Sequence, residues 1–301
     1  MSKIKIIHIS DIHFDKSEPE NQGLIINSFF NDLEESQSNL NKESTYCIIT
    51  GDLVKAGSND IIYNSFFEGF IVRLMKFVHI QNIYCLPGNH DLNRNIVENN
   101  LDNHNEIITK EYNESEFNDF IKSDDNILLK KFIPFEKFCK EKFDLPHFNL
   151  YGYSENIIPE ISIFLLNSAL CSSGGYNGID DKGRLKIETA AINKWISENT
   201  GRKKVLLLHH PIEHLSKWAQ NELKSMFNRD INILINGHIH NQEIVSNYNG
   251  FIKICSPQLF SDKNDTLGYS ILTFNDSDLV SIEYRQWVKK QRKFMAGRDF
   301  S

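Results

Sequence analysis

Ile4-Lys5-Ile6-Ile7-His8-Ile9, running at once into Ser10-Asp11-Ile12-His13, sets a pattern that the rest of the chain repeats. A short β-branched run of this kind reads as a strand buried on both faces. Here it closes on residues that carry charge and lone pairs. Five further runs share the form: Tyr46 to Ile49, Ile83 to Leu86, Ile161 to Leu166, Val205 to Leu208 and Ile231 to Ile235. Between them lie helix-like stretches, Leu24 to Leu40, Ile61 to Val78, Thr189 to Glu198 and Leu215 to Phe227. Strands alternating with helices predict a layered α/β fold. Towards the C-terminus, Glu243 to Asn247, Phe251 to Cys255, Tyr269 to Asn275 and Leu279 to Trp287 predict a β-rich meander. Its turn is expected at Asn275-Asp276-Ser277-Asp278.

Composition bounds the class. The 301 residues are 40% apolar and 24% charged, with 21 Phe and 10 Tyr. That excludes a disordered, collagen-like or coiled-coil chain and leaves enough length for a sizeable core. A net charge of −7 excludes a polycation built to coat nucleic acid. No apolar stretch is long enough to predict a transmembrane helix, so no membrane partner is expected. The N-terminus carries no signal-peptide pattern. Cys47, Cys85, Cys139, Cys171 and Cys255 are scattered and odd in number, which predicts free thiols and a cytoplasmic home.

Residues 92–147 break the alternation. They are polar and charge-dense, with Phe117, Phe120, Ile121, Leu128, Phe132, Phe135 and Phe138 at roughly helical spacing. The stretch predicts an inserted helical hairpin whose aromatic stripe packs on the body, with a cap over a substrate as the second reading. The expected division is one domain over 1–288, insertion included, followed by a basic tail or linker over 289–301.

The chemistry sits where strands end. Ser10-Asp11-Ile12-His13, Thr50-Gly51-Asp52-Leu53, Pro87-Gly88-Asn89-His90-Asp91, Leu208-His209-His210-Pro211 and Asn236-Gly237-His238-Ile239-His240 each follow an apolar run directly. Six of the 11 histidines fall in these loops. Open α/β sheets bind ligands at the carboxyl ends of their strands. In extended backbone, residues two apart share a face, so Asp11 with His13 and His238 with His240 are each expected to present two ligands to one cavity. Asp, Asn and His without thiolate suit a divalent ion such as manganese, iron or zinc. Seven donors exceed one tetrahedral zinc but suit two octahedral ions sharing a carboxylate, roughly 3.5–4 Å apart.

These loops, in this order, resemble the calcineurin-like metallophosphoesterase superfamily, whose signature is D-x-H, G-D, G-N-H-[DE], H and G-H-x-H. The resemblance spans residues 11–240 and implies a four-layer α/β/β/α sandwich. It implies that Asp11, His13 and His240 hold the first metal, that Asp52 bridges, and that Asn89, His209 and His238 complete the second. His90 matches the family's non-ligand histidine, suited to donate to a phosphoryl oxygen or to protonate a leaving group. His210 then stands behind the ligands or faces substrate, and Asp91 orients the loop or caps it. The implied reaction is in-line attack by a metal-bridging hydroxide. Gly51, Gly88 and Gly237 are expected to allow close backbone approach.

Departures narrow the branch. Gly51-Asp52-Leu53-Val54-Lys55-Ala56-Gly57 lacks the second Asp and the Arg of the protein Ser/Thr phosphatases, and Lys55 stands where purple acid phosphatases carry Tyr. The loops look most like cyclic-nucleotide-type phosphodiesterases, as does Gly183-Arg184-Leu185 followed by Trp195-Ile196, with Mre11/SbcD-like nucleases as relatives. The expected substrate is a nucleotide-type phosphodiester. The alternative is a DNA or RNA nuclease, as the effector of a larger assembly or homo-oligomer, and an inactive protein-binding scaffold is a remote third. From Arg285 to Ser301 six basic residues face one acid, a charge of +5 against −12 elsewhere. Such a strip can track phosphates, although a solvated tail is the plainer expectation.

Overall fold

The apolar runs build two six-stranded sheets, seen in a computed structural model that describes residues 3–17, 19–36, 40–122, 127–145, 147–227, 229–240, 243–246, 250–261 and 266–297. The strands of the first half are β1 (Lys3–Ile9), β2 (Thr45–Thr50), β3 (Ile83–Leu86), β4 (Gly152–Ile158), β5 (Ile161–Leu166) and β6 (Lys203–Leu208). Those of the second are β7 (Ile233–Asn236), β8 (Glu243–Ser246), β9 (Ile252–Cys255), β10 (Gly268–Asn275), β11 (Asp278–Val288) and β12 (Lys293–Ala296). One helix follows β1, α1 (Pro19–Glu35), and after β2 comes α2 (Asp60–Phe66), which runs through a π turn into α3 (Val72–Leu74). After β3 come α4 (Arg94–Asn99), α5 (Leu101–Thr109), α6 (Glu114–Ile121), α7 (Ile127–Lys130) and α8 (Ile133–Lys142). The last two are α9 (Ala190–Glu198) and α10 (Lys217–Phe227).

The sheets run β12-β11-β10-β1-β2-β3 and β4-β5-β6-β7-β9-β8. β1, β2 and β3 are mutually parallel, as are β5, β6, β7 and β9, so each sheet sends its carboxyl ends to one rim. Alternation assigns the layers. Ile161, Ile163 and Leu165 of β5 with Val205 and Leu207 of β6 join the core shared with the first sheet. Phe164, Leu166, Leu206 and Leu208 point the other way, onto Trp195 of α9 and Leu223 of α10. On the outer face of the first sheet, Phe29 of α1 packs edge-on against Tyr269 of β10 and stacks on Phe70. Helix, sheet, sheet, helix is the four-layer order expected. Among the described residues no helix is long and apolar enough to cross a membrane, and all five cysteines are buried free thiols.

Several readings are corrected. The sequence shows no strand at residues 152–158, yet β4 forms there and pairs antiparallel with β5. It is an edge strand with a polar, weakly alternating sequence, and its pairing comes from its neighbour rather than its own pattern. The C-terminal strands form no single meander, because β8 and β9 extend the second sheet while β10, β11 and β12 complete the first. The segment expected as tail is ordered through residue 297: β12 pairs with β11, and Phe294 is buried against Tyr269 and Trp287. Arg285, counted with the basic strip, instead forms a fork onto buried Asp32 of α1, and Tyr269 donates its hydroxyl to the same carboxylate.

The insertion is five short helices rather than a hairpin. Phe132, Phe135 and Phe138 join the core built around the first sheet, where Phe135 and Phe138 pack on Tyr63 of α2, whereas Phe117, Ile121 and Leu128 pack beside α10 and the second sheet. Each half of the aromatic stripe therefore serves a different layer. Within it Lys131 is fully buried, donating to Ser172 O and meeting His104 Nε2 at 3.1 Å. Burial pushes this ammonium down to about 8.

The folded chain thus holds the Lys131 proton less tightly than the unfolded one, whose lysines titrate near 10.4. Unfolding takes up protons across that interval, so this group's contribution to stability rises as pH climbs from about 8 to about 10.4. Denaturant unfolding of the native chain and of Lys131→Met at both ends of the interval should show the difference moving towards the native chain, by at most about 3 kcal/mol. A difference that stays flat with pH would show that no charge is buried there.

Candidate metal centre

Both rims converge on one cluster. Asp11 and His13 follow β1, Asp52 follows β2, and Asn89 with His90 follows β3. From the second sheet come His209 after β6, then His238 and His240 after β7. Backbone bonds lock the loops together: Asp11 N to Gly51 O, His13 N to Asp52 O, and Gly237 N to His209 O. The unanticipated loop after β9 adds Leu259 N to Ser10 O and Phe260 N to Asp11 O.

All seven expected donors are brought together. His209 Nδ1 donates to Thr50 O at 2.8 Å, which leaves its Nε2 lone pair facing Asn89 Oδ1 at 3.0 Å and His238 Nδ1 at 3.1 Å. His240 Nε2 lies 3.2 Å from Asp11 Oδ1, and His13 Nε2 lies 3.8 Å from the same oxygen. Between the two groups stands Asp52, whose Oδ2 is 3.8 Å from His13 Nε2 and 3.5 Å from His209 Nε2. Its other oxygen is taken by the backbone N–H of His90 at 2.7 Å.

The pairs do not converge by the route expected from extended backbone. Asp11, His13, Asp52, His238 and His240 all have positive φ, between 45° and 69°. These are five of the eight described non-glycine residues in that region. Such strain costs about 1–3 kcal/mol per residue and gathers where surrounding structure enforces it. Glycines make room. A Cβ on Gly237 would lie 1.8 Å from Ser10 Oγ and 2.8 Å from Asp11 Oδ2, and one on Gly88 would lie 2.2 Å from Asp52 Oδ1.

Protonation suits a cation. Burial alone would raise the Asp11 carboxyl, yet the His240 hydrogen bond and the electrostatic influence of the surrounding His209, His240 and His13 rings hold it below the usual carboxylate range. Asp52 is lowered as well: its burial is outweighed by His209, His90 and His13. Burial pushes His238 down to about 3 and lowers His13, so their imidazoles are neutral. Ionised carboxylates and neutral imidazoles are what a divalent ion requires of its ligands. The donor set therefore fits the group.

The remaining expected residues fall around this cluster. Ser168 Oγ accepts from the backbone N–H groups of His209 and His210, so its proton goes to His210 Nδ1 at 3.1 Å. His210 Nε2 is left as a buried N–H with no partner among the described residues, a donor rather than a ligand. Asp91 is wholly buried and accepts from Leu53 N, Val54 N and Gly88 N, which braces the loop after β2 against the loop after β3. Burial and the nearby Asp52 charge push its carboxyl up to about 7. His90 Nδ1 lies 2.9 Å from Lys55 O, and its ring lies 4.6 Å from that of His13.

Two neighbours went unread in the sequence. His214 brings its ring to 4.9 Å from His238 and 6.0 Å from His210. Its H-x-x-x-H spacing from His210 is the signal that could have found it. Arg94, at the start of α4, places Nη2 3.2 Å from His90 Nδ1. Through Arg94 the insertion reaches the site.

A two-sheet sandwich with paired donor groups at its rim defines a class. The chain belongs to the calcineurin-like phosphoesterase family, whose sequence profile matches residues 4–242. That family implies a dinuclear divalent metal centre and phosphoester hydrolysis. The chain is 24% identical, over 95% of its length, to the "Uncharacterized metallophosphoesterase-like protein YydB" of Bacillus subtilis. It spans only 60% of that relative. Among solved structures it is similar to a dimetal phosphatase from Danio rerio, with TM-score 0.55 and 9% identity over 97% of this chain and 98% of that one. It is also similar to the purple acid phosphatase PPD1 of yellow lupin, with TM-score 0.54 and 12% identity over 98% of this chain and 53% of the other. At these identities the likeness is one of fold.

Gly237→Ala tests the packing of the centre. An alanine at a compatible position would stabilise by about 0.4–1 kcal/mol, but here the new methyl displaces Ser10 and with it Asp11. The expected result is manganese affinity lowered at least about tenfold in calorimetric titration. Native affinity in this variant would show that Asp11 is not held where a metal needs it.

Proposed function

We propose that the chain is a phosphodiesterase that uses two divalent ions, manganese first with iron or zinc as alternatives, to hydrolyse a nucleotide-type phosphodiester. One observation carries this reading: a single carboxylate oxygen of Asp52 faces both His13 and His209. That is the arrangement two cations need in order to share a ligand, with Asp11, His13 and His240 on one side and Asn89, His209 and His238 on the other. When bound, such a pair supplies Lewis-acid charge and brings the pKa of bound water towards neutrality. Lys55 O and Arg94 Nη2 engage Nδ1 of His90, which leaves Nε2 as its other polar atom. An N–H there can donate to a nonbridging phosphoryl oxygen or protonate the leaving oxygen. Arg94 adds fixed positive charge beside it. The diester preference rests on the loops Gly51-Asp52-Leu53-Val54 and Leu208-His209-His210-Pro211. Cytoplasmic residence belongs to the same reading, supported by five free thiols.

A nuclease is the second reading, favoured by the turn between β11 and β12. Gly268 pairs with Gln286, and Ser270 of the same strand pairs with His8 near the end of β1, so β11 ends on the catalytic rim. Lys289, Lys290 and Arg292 follow it there, and an exposed basic turn suits a phosphate backbone.

A manganese-supplemented screen of bis-p-nitrophenyl phosphate, cyclic nucleotides, single-stranded DNA and duplex DNA separates the two. Cleavage of DNA but not of cyclic nucleotides would reverse their order. Asp52→Asn and His209→Ala should abolish hydrolysis. His90→Ala should lower turnover by about 10²–10⁴ with bound metal unchanged by elemental analysis. Full activity in Asp52→Asn would rule out the shared carboxylate.

A further inference from the structure

A basic cleft opens beside the segment that carries His214 to the metal centre. The segment after His214 runs beside Leu185, with Leu185 N donating to His214 O and Ser216 N to Leu185 O. Behind this crossing opens a cleft of about 690 Å³ between α5, the loop around Arg184 and the start of α10. It lies at the carboxyl ends of β5 and β6, the same rim as the metal ligands. His214, two residues from its wall, touches His238.

The charge of the cleft is opposite to that of the chain. Lys110, Arg184, Lys186 and Lys217 line it against one acid, Glu111, in a protein of net charge −7. Lys186 is the informative one. It is buried, and its ammonium donates only to carbonyls: Ile108 O at 2.8 Å, Arg184 O at 3.2 Å and Ile107 O at 3.5 Å. No carboxylate pairs with it among the described residues. A buried cation without an anionic partner is costly, and an entering anion relieves that cost. The same wall holds two polar atoms, Trp218 Nε1 and Ser216 Oγ, buried without a partner among the described residues. Trp218 brings an aromatic ring to the cleft, braced by Phe117 at 6.0 Å.

We propose that this cleft binds the part of the substrate remote from the reacting ester, holding a second phosphate between Arg184 and Lys217, beside the buried charge of Lys186, and a base against Trp218. The ligand class is a nucleoside phosphate. The proposal rests on the phosphodiesterase reading and sharpens it, because remote contacts of this kind set which diester is placed on the metals. The insertion then has a role in binding, since α5 forms one wall and Phe117 and Phe120 of α6 pack on Tyr112 beside it.

The test uses the metal-loaded chain and its variant Arg184→Gln/Lys217→Gln, both positions outside the metal centre, with adenosine 5′-monophosphate as the probe. Binding is read by quenching of Trp218 fluorescence against a Trp218→Phe control, and hydrolysis of bis-p-nitrophenyl phosphate reports the metals alone. The double variant should bind the probe about tenfold more weakly while hydrolysing the small diester at the native rate. Adenosine without its phosphate should bind far more weakly than the monophosphate. Unchanged affinity in the double variant, equal binding of adenosine, or a parallel loss of bis-p-nitrophenyl phosphate hydrolysis would overturn the site. Should the native chain hydrolyse no diester, the phosphodiesterase reading falls, while the affinity comparison still decides whether the cleft takes a nucleoside phosphate.

Discussion

Asp52 is the constraint around which the molecule is arranged. One oxygen is fixed by the His90 backbone, and the other faces His13 and His209, which arrive on different sheets. For that oxygen to reach both, the rims of the two sheets must meet, and the core between them sets the separation at which they do so. Bulky residues such as Ile6, Ile48, Leu165 and Leu207 fill that core. A close-packed interior deforms little, so the distances at the rim inherit its rigidity.

The loops then absorb what the strands cannot. Positive φ at five donors bends the chain back so that side chains separated by one residue enter one cavity. The strain is held by backbone bonds between loops and by Asp91, whose carboxylate accepts three backbone N–H groups and binds the loop after β2 to the loop after β3. The protonation states follow from the same enclosure. Burial disfavours charge on the imidazoles, while those imidazoles and their hydrogen bonds keep Asp11 and Asp52 ionised. The enclosure therefore yields a set of donors ready for cations.

Distance from this centre governs how far function can be read. Fold and donor set are common to a family with varied substrates, and a fold does not choose its ligand. What surrounds the donors is peripheral: Arg94 and the five short helices after β3, the histidine at 214, and the basic cleft beside α10. These lie in connections, where sequence varies and specificity is built. The C-terminal strands add a further constraint. The fork of Arg285 onto Asp32 joins β11 to α1, so basic residues that look like a mobile strip become the edge of a sheet.

Residue types and their local order were enough to define the layered architecture and the identity of the donor cluster. A doubly buried strand is a continuous apolar run and a metal-competent loop needs specific residue types, and both are local signals. The rest was settled only when the layers packed. The edge strand β4 has no pattern apart from its partner. The expected tail became β12 because Phe294 found Tyr269 and Trp287 across the sheet. His214 reached His238, and Lys186 came to line the same cleft as Trp218, through contacts between segments far apart in the chain. Local spacing carries no record of such meetings, since they exist only once packing has brought distant loops to one rim.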